Sequence, residues 1–216
     1  MKRAKVTPAA VTNSRPAWLQ SAPDAWREKV MAAAFDVFAA KGFDGATMAE
    51  IAAAAEVSKR TLYERYEDKA DLFRALLGWA ARGYLPEKLP PGKFDAEDAL
   101  VRHAETVLAA LMRPESIDLM RIVAAASPRF PEIGRMFDEM TRAASLKIVR
   151  ALGWKLSKEK RIHVSDYDAF ASDFIGLLRG DLYFRALAGA AKPMPQSKSA
   201  AEARRVVTLL LKAYAR

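Results

Sequence analysis

Residues 47–73 read TMAEIAAAAEVSKRTLYERYEDKADLF, two short helical patterns with only Glu56, Val57 and Ser58 between them. No Gly or Pro marks the turn. Thr47, with Glu50 three residues on, is the signature of a capping box opening the first helix, and Ser58 is the expected N-cap of the second. Ile51, Ala52, Val57, Leu62 and Tyr66 are spaced so that the two helices share one small core, with Ala52 small where they cross. Leu62 and Tyr66, at i and i+4, occupy the inward face. Lys59, Arg60, Thr61 and Tyr63 are left near the N-terminal end, facing out. A helix N-terminus with free N–H groups, two cations, a hydroxyl and a phenol suits phosphate oxygens and base edges. Such a helix fits the major groove, where Arg reads guanine in bidentate fashion. The pattern is that of a helix-turn-helix whose compact turn presents a recognition helix.

Working outward, Val30, Ala33, Ala34, Val37 and Phe38 recur at i, i+3, i+4, i+7 and i+8, a preceding helix with one buried stripe. Asp24 is its expected N-cap, Glu28 suits its dipole, and Lys41 with Gly42 closes it. Asp68 and Asp71 start a fourth helix running to about residue 84. Residues 1–23 mix Pro, Ala, Ser, Asn and cations without periodicity and read as an arm. The Pro- and Gly-dense stretch 85–98 is the expected boundary. Beyond it, helical patterns cover 95–112, 115–126, 131–153, 166–189 and 199–215. No segment alternates as a half-buried strand does. The expectation is an all-α chain of about nine helices: a basic arm (1–23), a DNA-binding domain (24–84, motif 47–66) and a C-terminal domain (85–216).

Composition permits this. The chain of 216 residues is 51% hydrophobic and has no cysteine, which removes disulfides and thiolate metal sites. Neither a secretory signal nor a transmembrane run is visible, so the expected location is the cytoplasm. The net charge of +9 invites a polyanion. Its placement does not single out the helix-turn-helix, since residues 24–85 hold 9 basic against 10 acidic residues. The case for DNA therefore rests on local geometry. Lys2, Arg3, Lys5 and Arg15 of the arm could enter a minor groove, although a solubilising tail is the plainer reading.

The run REKVMAAAFDVFAAKGFDGATMAEIAAAAEVSKRTLYERYEDKADLF resembles the N-terminal domain of TetR/AcrR-type transcriptional regulators. The resemblance is carried by the helix ending in KGF, the threonine cap, IA..A.VS, TLY and DKADL. It places the family's DNA contacts on Thr47, Lys59, Arg60, Thr61, Tyr63 and Lys69, with Tyr63 and Lys69 gripping phosphates and the start of the third helix addressing bases. Two departures stand out: Glu56 occupies a turn position where the family usually has Gly, and Arg60 another. LMRIVAAASPRFPEIGRMFDEM and FASDFIGLLRGDLYFRALAG are similar to one subgroup of the family's ligand-binding domains. The resemblance implies a repressor, released from a palindromic operator by a small apolar effector. Helix four (69–84), the long element joining the two domains, is expected to carry the motion because its pattern continues into the C-terminal helices.

One helix-turn-helix rarely suffices for specific binding, so a homodimer on double-stranded DNA is expected. Its interface is assigned to the apolar faces of helices 166–189 (Tyr167, Phe170, Phe174, Leu177, Leu178) and 199–215 (Ala203, Val206, Val207, Leu210, Leu211, Tyr214). Gly176 and Gly180 would permit close helix approach there. Among the apolar residues of 100–184 no lining can be told from filling, so no effector-site residue is named. His103 and His163 lie too far apart for a zinc motif, and no nucleophile elbow, phosphate loop or dinucleotide fingerprint occurs. No catalytic residue, metal or cofactor is expected. The rival reading is a helical interaction module that docks an acidic protein or anionic surface; Lys59–Tyr66 is too short and polar for a membrane helix.

Overall fold

The computed structural model describes residues 25–82, 89 and 92–215. Their regular structure is entirely helical: α1 (Ala25–Gly45), α2 (Met48–Ala54), α3 (Lys59–Tyr63), α4 (Lys69–Arg82), α5 (Ala96–Leu111), α6 (Pro114–Ala126), α7 (Pro131–Phe137), α8 (Ala143–Lys158), α9 (Tyr167–Leu187) and α10 (Ser199–Ala213). One π-helical turn, Asp138–Arg142, joins α7 to α8, so the single helix expected over 131–153 is interrupted and runs on to Lys158. The arm 1–23 and Asp24 lie outside the described residues. The chain divides into two compact units between Trp79 and Ala80, within α4 and ahead of the Pro-rich stretch.

In the first unit, Phe38, Phe43 and Phe73 pack ring against ring, with centroids 5.0 to 5.9 Å apart. Val30, Ala33, Ala34 and Phe38 of α1 are buried as their spacing predicts, and Val37 is half-buried. Gly42 leaves the helical path at φ 71°, where the expected C-terminal break falls. Thr47 caps α2: its hydroxyl accepts from the Glu50 amide while the Glu50 carboxylate accepts from the Thr47 amide, each at 3.2 Å. Ser58 caps α3, accepting from the Thr61 amide at 2.9 Å. Ile51, Ala52, Leu62 and Tyr66 close the core between them.

In the second unit, α5 packs with α8, α9 and α10 around Leu100, Leu108, Leu152, Phe170, Phe174 and Val206. Pro114 and Pro131 occupy first helical positions, where a missing N–H loses nothing. Arg121 of α6 donates to the last carbonyls of α9, Ala186 at 2.7 Å and Leu187 at 2.8 Å, adding a cation at that helix's C-terminal end. Within the unit, close helix approach falls at Gly153. A Cβ at Gly153 would meet the Phe170 ring at 2.8 Å, whereas at Gly176 or Gly180 it would meet none of the described residues within 4 Å.

The apolar stripe of α10 is used inside the unit. Ala203, Val206, Val207 and Leu210 are buried within the single chain, as are Phe170, Phe174 and Leu178 of α9. These residues therefore form core, a correction to their assignment as an interface face. What α8, α9 and α10 leave in solvent is Trp154, Leu177, Phe184 and Leu209, with Phe184 the most exposed at 68%.

Candidate functional site

The turn between α2 and α3 explains how a chain without Gly or Pro reverses there. The Val57 amide donates to the Ala52 carbonyl and the Glu56 amide to the Ala53 carbonyl, both at 3.0 Å. This is the Schellman pattern, which needs a left-handed residue just past the helix. Glu56 supplies it at φ 50°. Its carboxylate pairs with Lys29 of α1, and that contact holds its pKa below the usual carboxylate range. Lys160 at φ 58° ends α8 with the same bond pair, and Gly189 at φ 75° ends α9 in a related one. The turn tolerates a side chain because an ion pair and the scaffold around it hold one there.

On α3, Leu62 points in and is fully buried, while Lys59, Arg60 and Tyr63 are exposed and Thr61 is half-buried. The Lys59 ammonium lies 5.7 Å from the Tyr63 ring centroid, and Arg60 Nε donates to the Glu64 carboxylate at 2.9 Å. Arg60 is thus directed along the helix by its i+4 neighbour. The Thr61 hydroxyl is 2.7 Å from that of Ser58. Five of the six predicted residues, Thr47, Lys59, Arg60, Thr61 and Tyr63, are polar or phenolic groups on or beside these two helices with at least partial exposure.

Lys69 has a second occupation. Its ammonium donates to the carbonyls of Asp44 at 3.0 Å and Ala46 at 2.9 Å and lies 4.8 Å from the Phe43 ring centroid. It ties α4 to the end of α1, next to Thr47, and any phosphate would receive a cation already anchored. Trp26 and Arg65 escaped the sequence reading: Trp26 stacks on Tyr66 at 6.5 Å, with the Arg65 guanidinium 5.1 Å from the Trp26 ring centroid. The preceding i, i+4 signal stops at Leu62 and Tyr66, so nothing in the local pattern announced this outer layer.

The second unit contains a cavity, open in part to solvent, for which the sequence supplied no residues. Val107, Leu111, Phe137 and Ile175 form its apolar wall. Ser116, Thr141, Arg142, Ser145, Arg179 and Tyr183 contribute the polar groups. Two helix irregularities border it. Arg142 ends the π turn, and Arg179 precedes Gly180, which breaks α9 at φ 50°, ψ −171°. That backbone region is almost exclusive to glycine. Behind the cavity, His103 Nε2 and Ser145 Oγ are 2.9 Å apart, and the His103 ring stacks on Phe174 at 5.8 Å. Burial pushes the His103 pKa down to about 4, so the ring is neutral near pH 7.

Among the described residues no helix is long and apolar enough to cross a membrane, and no group of three or more His, Asp or Glu is placed to hold a metal ion.

Comparison with known proteins agrees with both halves of this arrangement. Residues 30–76 match the family model described as bacterial regulatory proteins, tetR family, and residues 98–216 match the C-terminal domain of AefR-like transcriptional repressors. The transcriptional repressor BepR of Brucella suis is 33% identical over 85 residues; the match spans 39% of this chain but only 41% of BepR. Among solved structures, a TetR-family regulator from Mesorhizobium loti superposes with a TM-score of 0.70 at 26% identity. The flavonoid-responsive regulator FrrA does so with 0.70 at 28%. Each alignment covers 88% of this chain and 97% of the other.

Proposed function

Because the chain belongs to the TetR family of bacterial transcriptional regulators, we propose that it is a ligand-responsive repressor acting on operator DNA in the cytoplasm. The observation that carries this reading is α3: a helix fixed by the buried Leu62 and the Ser58 cap, with Lys59, Arg60 and Tyr63 exposed along it. Arg60 reads a base edge, and Thr47, Lys59, Thr61, Tyr63 and Lys69 contact phosphates or neighbouring bases. Two half-sites about 34 Å apart require two copies, and the exposed Leu177, Phe184 and Leu209 supply apolar surface for a homodimer.

The cavity of the second unit holds the effector. Ligand-responsiveness is supported by the printed description of FrrA as flavonoid-responsive, a property of that protein. An effector that binds better to the conformation with displaced reading heads lowers operator affinity; a coupling of about 1–3 kcal/mol gives a change of roughly 5- to 150-fold. Helix α4, whose residues belong to both units, is the proposed carrier of that motion.

The test is a gel-shift titration of the whole protein on DNA upstream of its own coding region, at fixed salt, with excess nonspecific competitor. Retention of a specific complex is expected, and Arg60→Ala should lower specific affinity by about 1–3 kcal/mol while relaxing preference at one base pair. Lys69→Ala should weaken all sequences alike and flatten the salt dependence by about one ion. Complete loss to competitor would leave a general polyanion binder in place of a regulator.

A further inference from the structure

We infer that the cavity of the second unit takes an amphipathic anion, an apolar body bearing one carboxylate, with Arg179 as the anchor for the carboxylate. The inference rests on the reading of this cavity as the effector site and narrows the apolar effector that the sequence suggested. Two guanidinium groups line the cavity and no Asp or Glu does. Arg179 Nε is buried, and no group among the described residues accepts from it. Its guanidinium carbon lies 6.0 Å from the Tyr183 ring centroid. Aromatic contact steadies the plane of a guanidinium but satisfies none of its in-plane donors.

Arg142, the other lining arginine, on the π turn, is held loosely. Its contacts are Asp138 at 3.6 Å and the Ser172 hydroxyl at 3.4 Å, both long for charged hydrogen bonds. One arginine therefore lacks a partner for a buried donor, and the other has partners it can exchange.

A neutral apolar ligand would worsen this arrangement. It would strip water from two cations and return no acceptor, and a buried cation without a counter-charge is strongly unfavourable. A carboxylate satisfies the guanidinium fork through two parallel N–H···O bonds, a match that ammonium groups cannot give. The wall of Val107, Leu111, Phe137 and Ile175 then receives the apolar body. Ser116, Thr141 and Ser145 stand among these residues, with the Thr141 hydroxyl donating to the Phe137 carbonyl at 2.6 Å and Ser145 bonded to His103, so the guanidinium fork is the carboxylate's main donor.

Both arginines adjoin a helix irregularity: Arg179 precedes the break of α9 at Gly180, and Arg142 ends the π turn between α7 and α8. Both interruptions fall at the cavity, where strained or widened turns are typically kept for function.

The test uses isothermal titration of the full chain with decanoate and 1-decanol, probes of matched length that differ in headgroup charge. Decanoate should bind at least about tenfold more tightly, the equivalent of one charged hydrogen-bonded contact. In Arg179→Gln that preference should fall to about twofold or less while 1-decanol affinity stays put; Arg179→Lys should keep part of it, and Arg142→Gln should lose less than Arg179→Gln. Unchanged thermal midpoints would establish that the variants fold. Equal affinity for the two probes, or a preference that survives Arg179→Gln, overturns the inference. If 1-decanol binds equally well and releases operator DNA, the effector-site reading stands and only the anion is wrong. If neither probe binds, the inference falls together with that reading.

Discussion

The two units carry their functional charge in opposite settings. In the first, Lys59 and Arg60 stand in solvent on a five-residue helix, and everything that positions them is local: two caps, one Schellman turn and a small core. In the second, Arg142 and Arg179 line a cavity, each beside an irregular helix segment, and the two segments are far apart in sequence. The first unit displays groups to a large, rigid polyanion. The second encloses a small molecule. Exposed cations lose little by waiting for a partner, because water solvates them; enclosed ones need compensation inside the fold. This is why the first unit can hold its cations with a single i, i+4 acid, while the second hides a neutral histidine behind its polar wall.

The largest effect that would break this comparison is expected from Leu62→Ala. Leu62 is fully buried beneath α3, and truncating such a leucine costs about 2–5 kcal/mol. Amide exchange should lose protection in α1–α4 and operator binding should vanish, while protection in α5–α10 and ligand affinity in the cavity remain. Loss of both together would show that the chain does not behave as two separable units.

That separation also governs what could be read from the sequence. The helix-turn-helix was legible because its determinants lie within twenty residues: Thr47 with Glu50, Ser58 with Thr61, Leu62 with Tyr66. Each follows a spacing rule that holds whatever surrounds it. The Lys69 contacts with Asp44 and Ala46 span the unit, and so its anchoring was invisible. In the second unit the periodicity of α10 was plain but ambiguous, because an apolar stripe looks the same whether it meets a partner chain or α5. The cavity was illegible for a further reason. Arg179 sits between Leu178, which is buried, and Gly180, whose break of α9 at φ 50° no spacing rule announces.

A mid-sized effect should sharpen the contrast through pH. Burial lowers the His103 pKa to about 4 in the folded chain, against an ordinary value near 6.5. The unfolded chain therefore binds a proton that the folded chain refuses, and stability falls as pH drops from about 6.5 towards 4, by up to about 3 kcal/mol. Above pH 6.5 this residue contributes no pH dependence. In the first unit, Glu50 and Glu56 have pKa values lowered by Lys41 and Lys29, so their linked stability is present above the carboxylate range and is lost only below it. Between pH 6.5 and 5 the second unit should weaken while the first holds. Exchange protection followed by region checks this, and His103→Gln should remove the slope from α5–α10 alone. A first unit that loosens in the same window would refute the assignment.

The smallest effect concerns the turn itself and asks whether Glu56 is tolerated or required. A left-handed backbone is unfavourable for any residue with a Cβ, whereas glycine adopts it freely. Glycine, however, has more freedom to lose on folding, and Glu56→Gly also discards the Lys29 ion pair. Near pH 7 these terms nearly cancel, and a thermal midpoint within a few degrees of the parent is expected. Lowering the pH separates them. The parent loses its ion pair as Glu56 protonates, the variant has none to lose, and the variant's relative stability should therefore rise as pH falls through the carboxylate range. If instead the variant is destabilised equally at every pH, the side chain contributes by something other than its charge. The turn would then need Glu56 for its packing, and the bond pair seen again at Lys160 would not be transferable between the two helix ends.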